Sequence, residues 1–417
     1  MNILYIHQSF PGQYQHIVRR LGRDSGIRQI ALGANPSESD LGNDVQYFLY
    51  QLQRGNTDNI HPLAIEFESK AIRGEACTNA ALRLKENGFT PDLICAHPGW
   101  GESLFLRTIW PNSPILLYQE FYYQLTGFDL NFDPEIQPPH TLEIAEKSIL
   151  KNSCVLTSLE QSDWNVCPTQ FQRSSFPAHW QNSISTIHDG IDTTRAKPSN
   201  KVKPFALPEG EIIQPGDKLV TFVNRTLEPY RGYHTFIRAI PELQRLSPEA
   251  KIVLVGDTKG VSYGSACPSG EWKDYFLKEI EGQYNEDKVY FTGNLPHQDY
   301  LHLLQLSQAH VYLTYPFVLS WSLMEAMSTQ CAIVGSNTAP VQEVITHGKN
   351  GLLVNFFDHQ AVAEAVSELL NNRELAETLG KQARKTILKD YSLEQCVPRH
   401  LALMQMVATG TLSRRCG

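Results

Sequence analysis

The sequence lacks a long hydrophobic run and an excess of positive charge. A helix needs about 20 consecutive apolar residues to cross a bilayer, and no apolar run in the 417 residues approaches that length. The net charge of −8 argues against a nucleic-acid partner, because such proteins need a basic surface to displace counterions from the phosphates. These absences favour a folded, water-soluble protein.

The cysteines and the opening residues indicate the compartment. No Cys-x-x-Cys pair occurs, so reduced thiols are the simplest interpretation. The opening MNILYIHQSF has neither a basic flank nor a small-residue cleavage site, and it therefore predicts a buried strand instead of a signal peptide. We expect a cytoplasmic protein. The eight cysteines are Cys77, Cys95, Cys154, Cys167, Cys267, Cys331, Cys396 and Cys416.

One basic cluster follows the first predicted strand. Arg19, Arg20 and Arg23 fall largely opposite the apolar residues of a helical pattern. A solvated helix face explains them, and so does peripheral contact with anionic lipid at the inner face of a membrane.

Short apolar runs alternate with helical patterns along the whole sequence. The first half contains NILYI, RQIAL, DLICA, PILLY and SCVLT, and the second half contains LVTFV, KIVLV, KVYFT, HVYLT, CAIVG and GLLV. This alternation is typical of parallel strands covered by helices on both faces. Because 417 residues are too many for one core, we predict an α/β protein with two Rossmann-like domains.

Proline and lost periodicity mark the boundary between these domains. Four prolines occur between Thr193 and Asp217, a composition typical of a linker. Ser392 and Gln395 form a capping-box pattern that predicts a last helix. The predicted organisation is a first domain over residues 1–195, a linker over 196–216, a second domain over 217–390, and a terminal helix and tail over 391–417.

A candidate phosphate site lies in the segment TYPFVLSWSLMEAMS. Ser320 is a plausible N-cap, and the backbone amides that follow at Trp321 and Ser322 lie at the positive end of the helix dipole, where phosphates bind. Glu325 lies about 7.5 Å further along the axis, a distance suited to the ribose hydroxyls of a bound nucleotide. The alternative is an ordinary glutamate on a helix surface.

Two arginines follow the strand LVTFV. The strand ends at Asn224, and Arg225 and Arg231 come after it, before the next helical pattern. Carboxyl ends of strands are where open α/β sheets bind ligands, and arginine suits bidentate phosphate contacts.

The combined pattern resembles the retaining glycosyltransferases of family 4, and the resemblance covers almost the entire chain. It implies the GT-B architecture, in which two Rossmann-like domains face each other across a cleft and a C-terminal helix crosses back to the N-terminal domain. The N-terminal domain is then the acceptor side and the C-terminal domain the donor side. The co-substrate is a nucleotide diphosphate sugar, and no cofactor, metal or covalent nucleophile is expected.

The resemblance also assigns residues of the donor site. Arg225 matches the family's first phosphate-binding cation, and Arg231 stands where a lysine is expected, with one extra residue between. Only the second half of the Glu-x7-Glu motif is present, because Phe317 stands eight positions before Glu325. The expected nucleotide-sugar-binding residues are Gly12, Asn224, Leu295, Phe317, Ser320, Trp321, Ser322 and Glu325.

The first domain contributes further candidates. Gly12 lies in the first strand-helix turn, and His97 follows the strand DLICA, where the family places a histidine that contacts the donor sugar. We group His97 with Arg225 and Arg231 as catalytic candidates. A plain turn and a local loop histidine are the alternatives for Gly12 and His97. Glu120, Tyr122 and Tyr123 are acceptor candidates, with aromatic packing as their alternative.

A long polar loop, DTKGVSYGSACPSGEW, follows the strand KIVLVGD. Its length exceeds the usual strand-helix connection and suggests a lid or recognition loop that contains Tyr263. A surface insertion is the alternative.

The expected activity is transfer of a sugar, with retention, to a hydroxyl of a glycan, a lipid or another acceptor. A nucleotide-sugar epimerase or a phosphorylase on the same fold is one alternative. A catalytically inactive nucleotide-sugar-binding protein is another, because Phe317 replaces a carboxylate. The expected partners are the nucleotide-sugar donor and a carbohydrate or lipid-linked acceptor, and the sequence gives no indication of oligomeric state.

Overall fold

The computed structural model describes residues 1–37, 41–137, 141–208 and 210–414. The chain forms two compact units. Cys416 lies outside the described residues, and the seven described cysteines are present as thiols. The first unit comprises Met1–Asn131, Pro138–Gly190 and Leu393–Gly417, and the second comprises Phe132–Gln137 and Ile191–Ser392.

The first unit contains a sheet of seven parallel strands in the order β3-β2-β1-β4-β5-β6-β7. Its central strands are buried on both faces, which explains their continuous apolar sequences. The strands are β1 Asn2–Ile6, β2 Arg28–Gly33, β3 Gln46–Leu49, β4 Leu93–Ala96, β5 Ile115–Tyr118, β6 Trp164–Cys167 and β7 Ile184–Thr186.

In the described part of the first unit, seven helices accompany these strands. They are α1 Gln15–Leu21, α2 Ile65–Glu86, α3 Leu106–Ile109, α4 Leu142–Lys151, α5 Ser153–Gln161, α6 Gln170–Ser174 and α7 Ala178–Gln181. The predicted strand SCVLT is wrong, because this run lies in α5. Cys154, Val155, Ser158 and Leu159 are buried, and this spacing places them on one helical face.

The second unit contains a sheet of six parallel strands in the order β12-β11-β10-β13-β14-β15. A short antiparallel pair, β8 with β9, lies in the predicted linker. The strands are β8 Phe205–Ala206, β9 Ile212–Ile213, β10 Leu219–Thr226, β11 Lys251–Asp257, β12 Val289–Gly293, β13 Ala309–Tyr312, β14 Ala332–Ser336 and β15 Leu352–Val354.

The helices of the second unit pack on both faces of this sheet. They are α8 Tyr233–Leu246, α9 Trp272–Glu279, α10 His297–Leu306, α11 Trp321–Ser328, α12 Ala339–Gln342, α13 His359–Asn371 and α14 Arg373–Thr386. Two parallel sheets with covering helices confirm the predicted pair of Rossmann-like domains.

The last helix, α15 (Leu393–Ala408), belongs to the first unit, where it packs against α1, β4 and β5. It begins at Leu393, directly after the predicted capping residue Ser392, and runs without a break through Pro398. The chain therefore returns to its first unit at its end. Among the described residues, no helix is long and apolar enough to span a membrane.

A six-residue segment of the first half of the sequence, Phe132–Gln137, belongs to the second unit. The Phe132 ring lies 5.1 Å from that of Tyr315 and 5.2 Å from that of Phe356. Asp133 is fully buried and accepts a hydrogen bond of 2.6 Å from the Tyr315 hydroxyl. The sequence analysis gave no indication of this placement.

Candidate functional site

In each large sheet the strand order reverses beside one central strand. The reversal lies between β1 and β4 in the first sheet and between β10 and β13 in the second. Open α/β sheets bind ligands outside the carboxyl ends of the strands at such a switch point. His97 follows β4, and Arg225 lies at the end of β10. Two sites can therefore be described, one in each unit.

In the second unit, Arg231 connects the turn after β10 to the residues before α11. The side chain is buried, and its Nη1 donates to the Thr314 hydroxyl at 2.8 Å and to the Val318 carbonyl oxygen at 2.9 Å. A buried charge is costly unless it is hydrogen-bonded. These contacts offset that cost and hold the guanidinium in one position.

The residue before α11 and Arg231 both contact the hydroxyl of Tyr312. The Ser320 amide donates to the Tyr312 hydroxyl at 2.9 Å, and Arg231 Nη1 lies 3.5 Å from that hydroxyl. The predicted N-cap is confirmed, since the Ser320 side chain accepts from the Ser322 amide at 3.2 Å. Trp321, the first residue of the helix, is 37% exposed. Arg231 and the start of α11 therefore both contact the Tyr312 hydroxyl.

Arg225 is exposed at the end of β10, and Asn224 beside it is half-buried. The structure relates Arg225 to Arg231 through Glu228, a buried carboxylate. Burial raises the pKa of Glu228, while its backbone hydrogen bonds and the charges of Arg231 and Arg225 oppose that shift. Both guanidinium groups therefore act on one carboxylate.

Glu228 also holds the long loop after β11. Its carboxylate accepts the Ser262 amide at 2.6 Å and the Tyr263 amide at 3.1 Å. The Tyr263 ring then lies 5.1 Å from the Arg231 guanidinium carbon. The loop that the sequence marked as unusually long is therefore attached beside the candidate phosphate site.

Phe317 is buried within an aromatic cluster. Its ring lies 5.3 Å from Tyr230, 5.0 Å from Tyr263 and 5.9 Å from the Arg231 guanidinium carbon. Aromatic faces attract a guanidinium through their quadrupole. The side chain at the position of the missing carboxylate thus supports Arg231 and has no polar atom to offer a ligand.

Glu325 lies on α11 and accepts a hydrogen bond from His297, whose Nε2 lies 2.7 Å from Oε1. Its side chain is 18% exposed. His297 is a residue that the sequence analysis missed, because it begins a different helix, α10. Leu295, two residues earlier, is partly buried against the apolar core of the second unit.

In the first unit, His97 is buried in an aromatic environment. Its ring stacks on Trp100 at 4.3 Å and on Tyr118 at 5.7 Å. Its Nδ1 accepts the Gly99 amide at 3.1 Å, which leaves the proton on Nε2. Burial lowers the pKa of His97 well below its ordinary value, and the neighbouring His7 lowers it further. The ring is therefore neutral.

The Nε2 of His97 has no hydrogen-bond partner among the described residues. The half-exposed Glu120 places its Oε2 3.8 Å from this nitrogen. A buried donor without an acceptor costs about 1 to 3 kcal/mol. The neutral N–H of His97 is therefore available to bind an oxygen atom of a ligand.

Gly12 packs against His7, a second histidine that the sequence analysis missed. Gly12 has a φ of +47°, and a Cβ atom there would lie 2.5 Å from the His7 ring. His7 follows β1, is buried, and lies 5.4 Å from His97 between ring centroids. Burial lowers the pKa of His7 to about 4.

The acceptor candidates Tyr122 and Tyr123 make packing contacts. The Tyr122 ring lies 5.7 Å from that of Phe176. The Tyr123 ring lies 3.6 Å from the Lys151 ammonium group. Only Glu120 of the three acceptor candidates lies beside His97.

One group of three potential metal ligands occurs among the described residues. Oxygen or nitrogen atoms of Asp133, Glu135 and His234 lie within 4.8 Å of one another. Both carboxylate oxygens of Glu135 are bound by Arg238, so a cation here would compete with a guanidinium group.

Two protein-family models match the chain. The model of the "Glycosyl transferase family 4 group" matches residues 26–196, and the model of the "Glycosyl transferases group 1" matches residues 206–386. An uncharacterized glycosyltransferase from Methanocaldococcus jannaschii is 25% identical over 185 residues, which is 44% of each protein. The chain spans about half the length of the curated relatives it matches.

Solved structures share the fold over nearly the whole chain. Sucrose-phosphate synthase from Thermosynechococcus elongatus has a TM-score of 0.73 at 16% identity, covering 98% of this chain and 100% of that one. The Anabaena protein HepE in complex with UDP and glucose has a TM-score of 0.66 at 15% identity, covering 97% and 99%.

The two family matches cover consecutive parts of the chain, and each corresponds to one of the two Rossmann-like folds. The chain therefore belongs to the glycosyl transferases group 1, of the family 4 type, with the GT-B fold.

Proposed function

We propose that the protein is a retaining glycosyltransferase that moves a sugar from a nucleotide diphosphate donor to a hydroxyl of a carbohydrate or lipid-linked acceptor. The observation that carries this proposal is the meeting of Arg231 and the start of α11 at the Tyr312 hydroxyl. A fixed guanidinium beside a helix N-terminus is an arrangement that binds phosphates.

The second unit binds the donor nucleotide. Arg231 and Arg225 contact the diphosphate, which becomes the leaving group and gains negative charge as the sugar departs. Positive groups that are already in place stabilise that charge without reorganisation, and the burial of Arg231 strengthens its effect. The likeness to HepE, solved with UDP and glucose, supports this assignment.

The first unit binds a sugar hydroxyl through His97. A neutral imidazole N–H suits a neutral hydroxyl, because no charge must be removed from water when the ligand binds. The low pKa of His97 keeps the ring in that state at physiological pH. His97 thereby orients the sugar.

Arg225 and Arg231 supply the positive charge that a metal ion provides at other diphosphate sites, so we propose that the reaction needs no metal. Dialysis of the protein against EDTA is expected to leave the transfer rate unchanged. A loss of activity that added Mg²⁺ or Mn²⁺ restores would contradict this part of the proposal.

The assay follows nucleoside diphosphate release from a panel of nucleotide sugars, with and without candidate acceptors. Transfer predicts release that depends on the acceptor, and a product of retained anomeric configuration. Arg231→Ala is expected to weaken donor binding by at least about tenfold, since a charge-assisted contact contributes about 1.5 to 3 kcal/mol. Arg245→Ala is the matched control, because Arg245 is an exposed arginine of α8.

The other outcomes separate the rival functions. An inverted sugar centre without transfer indicates an epimerase, and phosphate-dependent cleavage of a glycoside indicates a phosphorylase. Donor binding without any turnover indicates a binding protein. Wild-type kinetics in Arg231→Ala would remove this arginine from the site.

A further inference from the structure

We infer that His297 is a positioning residue that holds the Glu325 carboxylate ready for the two hydroxyls of the donor's ribose. This inference rests on the proposed function and on the expectation from the sequence that Glu325 lies at the ribose of the donor nucleotide. It adds a residue from α10 to a site built on β10, β13 and α11.

The contacts of His297 fix which ring nitrogen carries the proton. The Arg195 guanidinium lies 3.4 Å from Nδ1, and Glu325 Oε1 lies 2.7 Å from Nε2. A guanidinium only donates hydrogen bonds, so Nδ1 is the acceptor. Nε2 then carries the hydrogen and donates it to Glu325.

The chain around Arg195 is itself held in place. The Asp192 side chain accepts the Arg195 amide at 3.2 Å. The neighbouring carbonyl of Ala196 accepts from the Ser328 hydroxyl at 2.5 Å and from Arg384 at 3.1 Å. These bonds fix the backbone next to Arg195, and Arg195 in turn contacts the His297 ring.

The Glu325 carboxylate keeps acceptor positions for a ligand. A carboxylate has about four lone-pair positions. His297 occupies one on Oε1, and the Tyr300 hydroxyl donates to the Ser322 carbonyl oxygen at 3.4 Å. The remaining positions on Glu325 are enough for the two neighbouring hydroxyls of a ribose. A donor that contacts a ligand-binding group from behind, as His297 contacts Glu325, fixes the direction in which that group faces the ligand.

The opposite arrangement is also testable. If His297 occupied the place of the ribose, its removal would strengthen nucleotide binding. If it positions Glu325, its removal weakens binding, and the loss depends on the ribose hydroxyls and on Glu325.

The experiment measures binding to the full chain by calorimetry with UDP, GDP and ADP, and with the 2′-deoxy form of each. For the diphosphate that the wild type binds, His297→Ala is expected to lower the affinity about 3- to 10-fold. The affinity for the 2′-deoxy form of the same diphosphate is expected to fall by less. His297→Gln restores most of the loss, because the glutamine amide can donate to Glu325. His302→Ala is the control, a partly exposed histidine of the same helix whose ring contacts the Lys203 carbonyl oxygen.

Two further readouts distinguish positioning from a purely structural role. The donor KM is expected to rise in His297→Ala while kcat stays near the wild-type value, because the ribose contact is the same in the ground state and the transition state. In a Glu325→Gln background the His297 substitution is expected to add little.

The other outcomes distinguish failure of the positioning role from failure of the proposed function. Unchanged or tighter binding in His297→Ala, or an equal loss for the 2′-deoxy ligand, overturns the positioning role and leaves the proposed function standing. If the wild-type protein binds none of the three diphosphates, the proposed function fails and this inference fails with it.

Discussion

The amide of Ser320 donates a hydrogen bond of 2.9 Å to the hydroxyl of Tyr312. This bond attaches the start of α11 to the end of β13, two elements that the sequence analysis treated separately. Since Arg231 lies 3.5 Å from the same oxygen, the tyrosine hydroxyl sets the spacing between the arginine and the helix.

Tyr312→Phe is expected to weaken nucleoside diphosphate binding about 5- to 20-fold. The variant leaves the part-buried Ser320 amide without its acceptor, and the loss of a hydrogen bond of this kind costs about 1 kcal/mol or more. Calorimetric titration of the full chain measures the effect. The control is Tyr315→Phe, which removes a hydroxyl bonded to Asp133 and is expected to lower stability while keeping nucleotide affinity. Equal losses of affinity in both variants would contradict the role of Tyr312.

Glu228→Ala is expected to release the loop that contains Tyr263. The substitution removes the acceptor of the Ser262 and Tyr263 amides, and Glu228→Gln retains an oxygen that can accept one of them. Limited proteolysis is therefore expected to cut the loop fastest in the alanine variant, more slowly in the glutamine variant and slowest in the wild type. Equal cleavage rates in all three proteins would show that Glu228 does not hold the loop.

Local rules predicted much of this fold. The N-cap at Ser320 follows from side-chain chemistry beside an apolar helical pattern. The strand before His97 and the strand that ends with Arg225 and Thr226 follow from continuous apolar runs between turns. The same rule misassigned SCVLT, because a short apolar run does not distinguish a buried strand from a buried helical face.

Contacts between residues far apart in the chain could not be predicted from the sequence. His297 lies 28 positions before Glu325, and Tyr263 lies 35 positions after Glu228. Only the packing of separate helices and loops brings such pairs together. The segment Phe132–Gln137 joins the second unit through aromatic contacts and a buried carboxylate, and none of these has a local sequence signature.

Gly12→Ala is expected to destabilise the first unit more than the conformation of the glycine alone explains. An alanine at φ +47° is strained, and its Cβ would also lie 2.5 Å from the His7 ring. Gly42→Ala is the control, since Gly42 has a φ of +54° with no atom within 4 Å of the added Cβ. Each left-handed alanine costs about 1 to 3 kcal/mol, and overpacking adds about 1 to 3 kcal/mol. Denaturant midpoints measure both losses, and equal losses would show that His7 moves aside freely.

Buried histidines are expected to make the protein lose stability in mild acid. Burial lowers the pKa of His310 to about 3, that of His188 to about 3 and that of His400 to about 4. Below about pH 6.5 the unfolded chain binds a proton at each of these positions, while the folded protein does not. The free energy of unfolding is therefore highest above about pH 7 and falls as the pH decreases from 6.5 toward 4.

His310 provides the sharpest test of this pH dependence. It is fully buried and bonded to the Thr221 hydroxyl at 2.9 Å, and His310→Asn removes its titration while keeping a polar group near that hydroxyl. Each such histidine contributes up to about 1.4 kcal/mol per pH unit, so denaturation of the variant between pH 6.5 and 4 is expected to show a shallower slope by up to that amount. An unchanged slope in His310→Asn would mean that this histidine becomes protonated within the folded protein, and that the second unit opens locally before it unfolds.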